Sequence, residues 1–278
     1  MNLSVWLHRL NLVAVALVFI HVQLISYMTA VPSYIWLFNG YTAVVLGCYV
    51  YQKIRSTWGV PRGRLVAKRQ LAPNFYEFTF QLRQARRLVI QAGDYVFLRF
   101  PNTPGLREGH PLSVVNPVTT EGRLVLAIRG DGDFTRQIQQ VPIGVTAAFA
   151  GGYGHFSQVI KDYPQARLVL AGGGTGAIPL LAVIAAYPDK AIAFYYAAHT
   201  SQQLIYVDEL RRLAADHPQL NLHIQEGRFE PEKIMASLTT ENQIFLLSGP
   251  GPFGRNWRRA IQRAGVASSR VYYEEFSW

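Results

Sequence analysis

The chain has 278 residues, of which 50% are hydrophobic and 16% are charged, and its formal net charge is +10. This composition excludes a disordered or fibrous protein and provides for about two domains, since a domain usually has ~100–200 residues. The single cysteine, Cys48, excludes an internal disulfide and a cysteine-held iron–sulfur or zinc site within one chain. No nucleic-acid-binding motif accompanies the positive charge, so we expect no nucleic-acid partner.

Two apolar runs near the N-terminus predict a helical membrane hairpin. Residues 10–28 (LNLVAVALVFIHVQLISYM) and 33–51 (SYIWLFNGYTAVVLGCYVY) contain no Asp, Glu, Lys or Arg. Each run approaches the ~20 residues that a helix needs to cross a bilayer. Pro32, in the linker between them, favours a turn. We therefore predict that residues 1–55 form a two-helix transmembrane hairpin, with the lipid bilayer as its partner.

Basic residues follow the second apolar run and predict its orientation. They are Lys53, Arg55, Arg62, Arg64, Lys68 and Arg69. Positively charged residues favour the cytoplasmic side of a membrane, so this collar predicts a multi-pass protein of the cell membrane. Both termini and the soluble domains would then be cytoplasmic. The alternative, a cleaved signal peptide ending near residue 30, is disfavoured by the second apolar run.

Two histidines in or beside the first apolar run, His8 and His21, are candidate haem ligands. An ionisable residue at membrane depth is a functional candidate. Thirteen residues of helix span ~20 Å, which suits two stacked haem groups, although the two side chains point about 140° apart. The alternative is that each histidine forms a hydrogen bond to a neighbouring helix.

Residues 56–162 predict an antiparallel β-barrel. Short runs of alternating apolar residues are separated by turns rich in glycine and proline, which is typical of such barrels. The predicted strands include Tyr76–Gln81, Gly93–Phe100, Arg123–Ile128 and Val145–Ala150.

Residues 163–278 predict a Rossmann-like α/β domain with a parallel sheet. Apolar strands alternate with helical stretches at 178–187, 203–215 and 255–264. The segment Leu168–Pro179 (LVLAGGGTGAIP) reads as a strand, a glycine-rich turn and a helix start, which together can bind a pyrophosphate. We predict nucleotide contacts from Gly172, Gly173, Gly174, Thr175, Gly176 and Pro179. The next strand leads into His199, so the usual acidic ribose ligand is absent.

Several short motifs occur in the order found in the ferric reductase and NADPH oxidase family. They are EGHPLS at 108–113, IRGDGDFT at 128–135, GGYG at 151–154, GGGTGAIP at 172–179, SGP at 248–250 and YEEFSW at 273–278. Together they resemble the flavin and nicotinamide domains of that family. The two histidines match its fifth transmembrane helix, but only the last two membrane helices of the family are present.

The resemblance implies a set of site residues. FAD would be bound by His110, Pro111, Leu112, Ser113, Val114, Arg129, Gly132, Phe134, Thr135 and Trp278. Trp278 would cover the flavin face on which the nicotinamide lands, and Ser113 and Ser248 would complete the catalytic set. NAD(P)H would also be bound by His199, Arg228, Ser248, Gly249 and Pro250. The choice between NADH and NADPH stays open.

The function implied is a membrane flavoprotein that passes hydride from cytoplasmic NAD(P)H to FAD and then single electrons toward the membrane. A haem b relay at His8 and His21 would end at ferric iron or oxygen. Because one helix carries both histidines, a homodimer or a separate haem-bearing membrane subunit would supply the other ligands. The alternatives are a haem-free reductase of a quinone or redox protein, and a non-catalytic subunit of a membrane complex.

Overall fold

The structure is a computed structural model that describes residues 3–26, 30–58, 60–83, 87–116, 119, 121–239 and 241–276. The chain divides into two compact units, Met1–Val60 and Pro61–Trp278.

The first unit consists of helices α1 (Leu3–Leu24) and α2 (Pro32–Trp58). Gln23 Nε2 donates a hydrogen bond of 2.7 Å to Asn39 Oδ1, and the rings of Phe19 and Phe38 stack with centroids 5.9 Å apart. These contacts pair the helices, as the predicted hairpin requires. Their apolar side chains are largely exposed; Trp36, for example, is 78% exposed.

The presence of the two helices does not by itself establish the predicted membrane crossing. Within the described residues, none of the helices has both the length and the apolar character needed to span a bilayer.

The second unit begins with an antiparallel six-stranded sheet whose strand order is β4-β3-β6-β1-β2-β5. Its strands are β1 (Arg62–Ala72), β2 (Phe75–Leu82), β3 (Tyr95–Arg99), β4 (His110–Ser113), β5 (Arg123–Arg129) and β6 (Thr146–Tyr153). Helix α3 (Asp133–Ile138) connects β5 to β6, and α4 (Phe156–Asp162) follows β6. Fully buried aromatic side chains fill the core of this predicted barrel, because every second residue of a strand points to the same side.

Four residues of the predicted basic collar belong instead to strand β1. Arg64 Nε donates to Gly144 O over 2.9 Å, and Lys68 Nζ donates to Gln139 O over 2.5 Å. Arg69 forms an ion pair with Glu77 on β2. These residues follow the second apolar run as predicted, but their side chains form contacts within the barrel. The strand was missed because its charged residues conceal the alternation of buried and exposed positions.

The remainder of the second unit has the predicted parallel sheet, with strand order β11-β10-β7-β8-β9. Its strands are β7 (Arg167–Gly173), β8 (Ile192–Ala198), β9 (Leu220–Glu226), β10 (Gln243–Gly249) and β11 (Val271–Glu275). The helices are α5 (Ala177–Ala186), α6 (Val207–Asp216), α7 (Pro231–Ser237) and α8 (Gly251–Arg263). The strand order reverses between β7 and β10, and ligands of open α/β sheets bind at the carboxyl ends of strands at such a point.

Candidate functional site

A cavity of about 870 Å³ lies where the barrel meets the carboxyl ends of the parallel strands. The barrel contributes Arg129, Asp131 and Gly132, which follow strand β5. The sheet contributes residues after β7, β8, β9 and β10, so the cavity includes the point at which the strand order reverses. Residues from both predicted domains therefore line one site.

The glycine-rich turn after β7 leaves no space for side chains at two positions. A Cβ atom on Gly172 would lie 2.7 Å from Ala177 Cα, and one on Gly176 would lie 2.4 Å from Ser248 O. The predicted strand, glycine turn and helix are all present, and Gly173, Gly174 and Thr175 line the cavity. Gly172 and Gly176 instead allow the turn to pack against α5 and β10.

The other predicted nucleotide residues divide into two groups. His199, Arg228 and Pro250 line the cavity. By contrast, Pro179 is buried in α5 and Ser248 is fully buried in β10. Gly249 packs against the ring of Phe253. Four arginine side chains thus line the cavity, Arg129 at the end of β5, Arg228 after β9, and Arg255 and Arg259 on α8, an arrangement that suits a phosphate-rich ligand.

The predicted flavin segment lies on β4 and beyond it. The His110 ring stacks on Phe134 with centroids 3.9 Å apart, and burial lowers the pKa of this histidine. Pro111 pairs with Phe97 of β3. The side chains of Leu112 and Val114 belong to the barrel core, so they support the segment from behind. Ser113 is buried, and its Oγ has no hydrogen-bond partner within the described residues.

Arg129 ends β5, and Thr135 lies in the first turn of α3. Arg129 Nε donates to Asp131 Oδ2 over 2.6 Å. Thr135 Oγ1 accepts a hydrogen bond of 2.9 Å from the backbone N–H of Gly132 and donates one of 3.1 Å to its carbonyl. Helix α3 begins at Asp133, two residues before Thr135. Thr135 stabilises the helix from within its first turn.

These residues fit an FAD molecule. A buried hydroxyl normally has a hydrogen-bond partner, so Ser113 Oγ, which has none within the described residues, is suited to a polar atom of a flavin ring. The guanidinium group of Arg129 is partly exposed, at 29%, and its planar fork suits a pyrophosphate.

Trp278, the predicted flavin cover, lies outside the described residues. Two other residues near the C-terminus, Phe276 and Glu274, were missed by the sequence reasoning. Phe276, two positions before Trp278, lines the cavity, and its backbone N–H donates to Gly249 O. Glu274 on β11 lies opposite Ser248 in the strand register. Both residues belong to the acidic and aromatic segment YEEFSW at 273–278, from which only Trp278 was predicted as a site residue.

Glu274 has a partly buried carboxyl group, and the carboxyl group of Asp94 lies nearby. Burial, assisted by the nearby Asp94, raises its pKa to about 7, although the backbone N–H of His155 donates to it over 3.4 Å. Burial also raises the pKa of Asp94, whose Oδ2 accepts from the N–H of Gln91 over 2.8 Å. Glu274 therefore binds a proton near neutral pH, next to the buried Ser248.

Replacing Glu274 by glutamine is expected to change the pH dependence of stability. The folded-state pKa lies above the ordinary value of 4.5, so the folded state binds more protons and stability falls as pH rises through that window. From pH 5 to pH 8 this carboxyl alone lowers the unfolding free energy by up to about 3 kcal/mol. Urea denaturation across this range should show the decline in wild type and a reduced slope in Glu274→Gln. The exposed Glu241→Gln serves as the control, and equal slopes in all three proteins would contradict the assignment.

The predicted haem ligands both lie on α1. His21 is exposed, whereas the side chain of His8 lies outside the described part of the structure. Among the described residues, no group of three or more His, Cys, Asp or Glu side chains is arranged to hold a metal ion.

Comparison with known proteins identifies the first part of the second unit. Residues 62–158 match the model of the oxidoreductase FAD-binding domain. The chain is 33% identical over 135 residues to a flavohemoprotein of Rhodopirellula baltica, covering 39% of this chain and 32% of that protein. It is 27% identical over 174 residues to ferredoxin–NADP reductase B of Sorangium cellulosum, covering 60% of this chain and 70% of that protein. The chain spans about half or less of the length of the first curated relatives it matches.

A solved structure shows the same fold. The ferredoxin–NADP⁺ reductase of Neisseria gonorrhoeae, solved with bound FAD and NADP, has a TM-score of 0.66 at 16% identity. The match covers 78% of this chain and 98% of that one. The chain thus contains an oxidoreductase FAD-binding domain followed by a parallel-sheet domain, and the two together have the fold of that reductase. This confirms FAD as cofactor and the two predicted soluble folds.

Proposed function

We propose that the chain is an oxidoreductase that takes hydride from NADH or NADPH onto FAD and releases electrons singly to an acceptor at a membrane. The observation that carries the proposal is the shared cavity. It joins Arg129 and Gly132 of the FAD-binding domain to the glycine turn of the nucleotide domain. Bound FAD would supply the redox chemistry, since it accepts a hydride and can give up electrons one at a time.

The residues of the chain would bind and orient the two ligands. Arg129 would bind the FAD pyrophosphate, and the backbone N–H groups of Gly174 and Thr175 would bind the pyrophosphate of NAD(P)H. Ser113 Oγ would form a hydrogen bond to the flavin ring, whereas Ser248, which is fully buried in β10, would support the nicotinamide side of the site without lining the cavity. Phe276 would shield the stacked rings from water, because its side chain lines the same cavity. Trp278 is proposed to assist it.

The test is an anaerobic spectrum of the purified full-length chain before and after addition of NADH or NADPH. We expect a bound flavin whose absorbance near 450 nm is bleached by at least one nucleotide. Absence of bound flavin, or flavin that neither nucleotide reduces, would leave only a non-catalytic role in a membrane complex.

Arg228 is expected to influence the choice of nucleotide. Its side chain lines the cavity beside His199, which stands where an acidic ribose ligand would otherwise end β8. A charge-assisted hydrogen bond to a 2′-phosphate contributes ~1.5–3 kcal/mol, so Arg228→Ala should lower kcat/KM for NADPH about 10-fold or more. The value for NADH should change less. Arg167→Ala, at the opposite end of β7, is the control; an unchanged NADPH/NADH ratio would remove Arg228 as a phosphate ligand.

The acceptor is proposed by analogy with ferric reductases and NADPH oxidases. Ferric iron or oxygen would receive the electrons through haem b, held by His8 and His21 together with ligands of a second copy or of a haem-bearing subunit. The support is the presence of both histidines on α1. A Soret band that disappears in His21→Ala would support this route. A flavin spectrum without a Soret band in the intact membrane complex would favour a haem-free reductase of a quinone or redox protein.

We also propose that the first unit attaches the enzyme to the cell membrane, with the reductase domains on the cytoplasmic side. The support is the exposed apolar surface of α1 and α2, which includes Leu24 at 77% and Trp36 at 78% exposure. Large exposed apolar patches mark membrane or protein contacts. The full chain should sediment with membranes in high salt and be released by detergent, whereas a chain that stays in the supernatant at low salt would contradict the attachment.

A further inference from the structure

A second contact between the barrel and the parallel-sheet domain lies away from the cavity lining. Phe75 and Ala127 of the barrel pack against Ile178 of α5 and Ile205, which precedes α6. All four side chains are nearly inaccessible to solvent, with exposures between 2% and 5%. This contact is therefore a dry apolar patch that joins the two domains.

Polar side chains close one side of the patch. Tyr206 Oη donates to Glu77 Oε2 over 2.6 Å, and Arg69 binds both oxygens of Glu77 at 3.0 and 3.2 Å. Arg69 Nη1 also lies 3.5 Å from Glu209 Oε1 on α6. Arg69 and Glu77 belong to the barrel, whereas Tyr206 and Glu209 belong to the nucleotide domain. We call these four residues the interdomain clamp.

Tyr206 is the residue of the clamp that the structure constrains most strongly. Its backbone is left-handed, with a φ of 60°, which is uncommon for a bulky residue. Burial and the hydrogen bond to Glu77 raise the pKa of its hydroxyl, so the group stays protonated and donates. A strained backbone persists when its surroundings hold it, and here the side chain is fixed from both domains.

The patch is connected to both ligand-binding segments by very short stretches of chain. Ala127 lies two residues before Arg129 on β5, and Ile178 lies two residues after Gly176 at the start of α5. Any sliding of the two domains at the patch would therefore be transmitted to the segments that bind FAD and the nucleotide. Hydride transfer is sensitive to such a displacement, because a misplacement of ~1 Å can cost about 100-fold in rate.

We propose that Tyr206 is a positioning residue for hydride transfer, which acts by holding the clamp closed and so fixing the separation of flavin and nicotinamide. This inference rests on the proposed function. The cavity lining includes none of the four clamp residues, so the proposed effect is on the geometry of the reaction rather than on binding.

The test compares wild type with Tyr206→Phe, which keeps the ring and removes the hydrogen bond to Glu77. We expect the rate constant of flavin reduction at saturating nucleotide to fall about 10-fold, with FAD content unchanged and the nucleotide Kd within about 2-fold. Tyr163→Phe is the matched control, because its hydroxyl donates to Ser269 O within one domain. In the double variant with Glu77→Ala, the loss should not exceed that of the worse single variant, since both break the same contact.

Hydrogen exchange tests the clamp without any nucleotide. Exchange should accelerate together in residues 75–79 of the barrel and 203–210 of the nucleotide domain in Tyr206→Phe, and not in Tyr163→Phe. An unchanged rate of flavin reduction, or a loss of bound FAD in proportion to the loss of rate, would overturn the positioning role. Wild-type protein whose flavin no nucleotide reduces would instead refute the proposed function. In that case the exchange result alone decides whether the clamp couples the domains.

Discussion

Replacing Gly176 by alanine is expected to abolish reduction of the flavin by NAD(P)H while leaving FAD bound. The added Cβ would lie 2.4 Å from Ser248 O and 2.6 Å from Gly249 Cα, which are backbone atoms of the adjoining strand β10. Because backbone atoms cannot rotate away, the glycine turn and β10 must separate. Overpacking of this kind costs ~1–3 kcal/mol of stability.

The effect on activity should exceed the effect on stability. The same displacement moves the backbone N–H groups of Gly174 and Thr175, which line the cavity, and misplacement by ~1 Å can cost about 100-fold. Stopped-flow absorbance measures the reduction rate, and flavin content of the purified protein checks the barrel. Gly47→Ala is the control, because nothing lies within 4 Å of its added Cβ. Reduction of Gly176→Ala within about 3-fold of wild type would contradict the close approach as the reason for this glycine.

Replacing Arg129 by alanine is expected to weaken FAD binding about 10- to 100-fold. A hydrogen bond between charged groups contributes ~1.5–3 kcal/mol, and the planar guanidinium fork can bind a pyrophosphate through two bonds at once. Arg129 ends β5 and lines the cavity next to Gly132, so it has access to a phosphate group there. Flavin fluorescence on dilution measures the dissociation constant.

Two further variants separate charge from geometry. Arg129→Lys keeps the charge without the fork and should give an intermediate loss. Asp131→Asn removes the carboxylate that Arg129 Nε contacts at 2.6 Å, so it should leave FAD binding equal or tighter. If Arg129→Ala retains FAD on dilution as wild type does, the pyrophosphate contact is assigned to the wrong residue.

Much of the fold could be predicted because local patterns were strong. The run LVLAGGGTGAIP contains a buried strand, a turn that only glycines allow and an apolar helix start, and the structure has all three. Strand β1 could not be predicted in this way. Its residues Arg64, Lys68 and Arg69 find partners 8 to 140 residues away along the chain. Nothing in the local sequence distinguishes such partners from solvent.

Part of the site could also be predicted, because short local motifs indicate it. Motif spacing led to the residues at the ends of β5, β7 and β10, because short turns hold their conformation wherever they occur. The GGYG motif shows the limit of that reasoning, since the motif match did not reveal the left-handed backbone of Gly152. Its φ of 77° is one that glycine adopts readily and most other residues do not. Glu274 was missed because its raised pKa depends on burial in the folded chain, assisted by Asp94, 180 positions earlier in the sequence.

By itself the sequence determined the paired helices, the order of an antiparallel and a parallel domain, and the glycine turn between β7 and α5. These depend on hydrophobic periodicity and on backbone freedom, which neighbouring residues specify. Only the tertiary structure decided which cations surround the cavity, which hydroxyls are buried without partners and how Tyr206 joins the domains. Burial and charge proximity arise from residues distant in the chain, so they exist only once the barrel and the sheet have packed together.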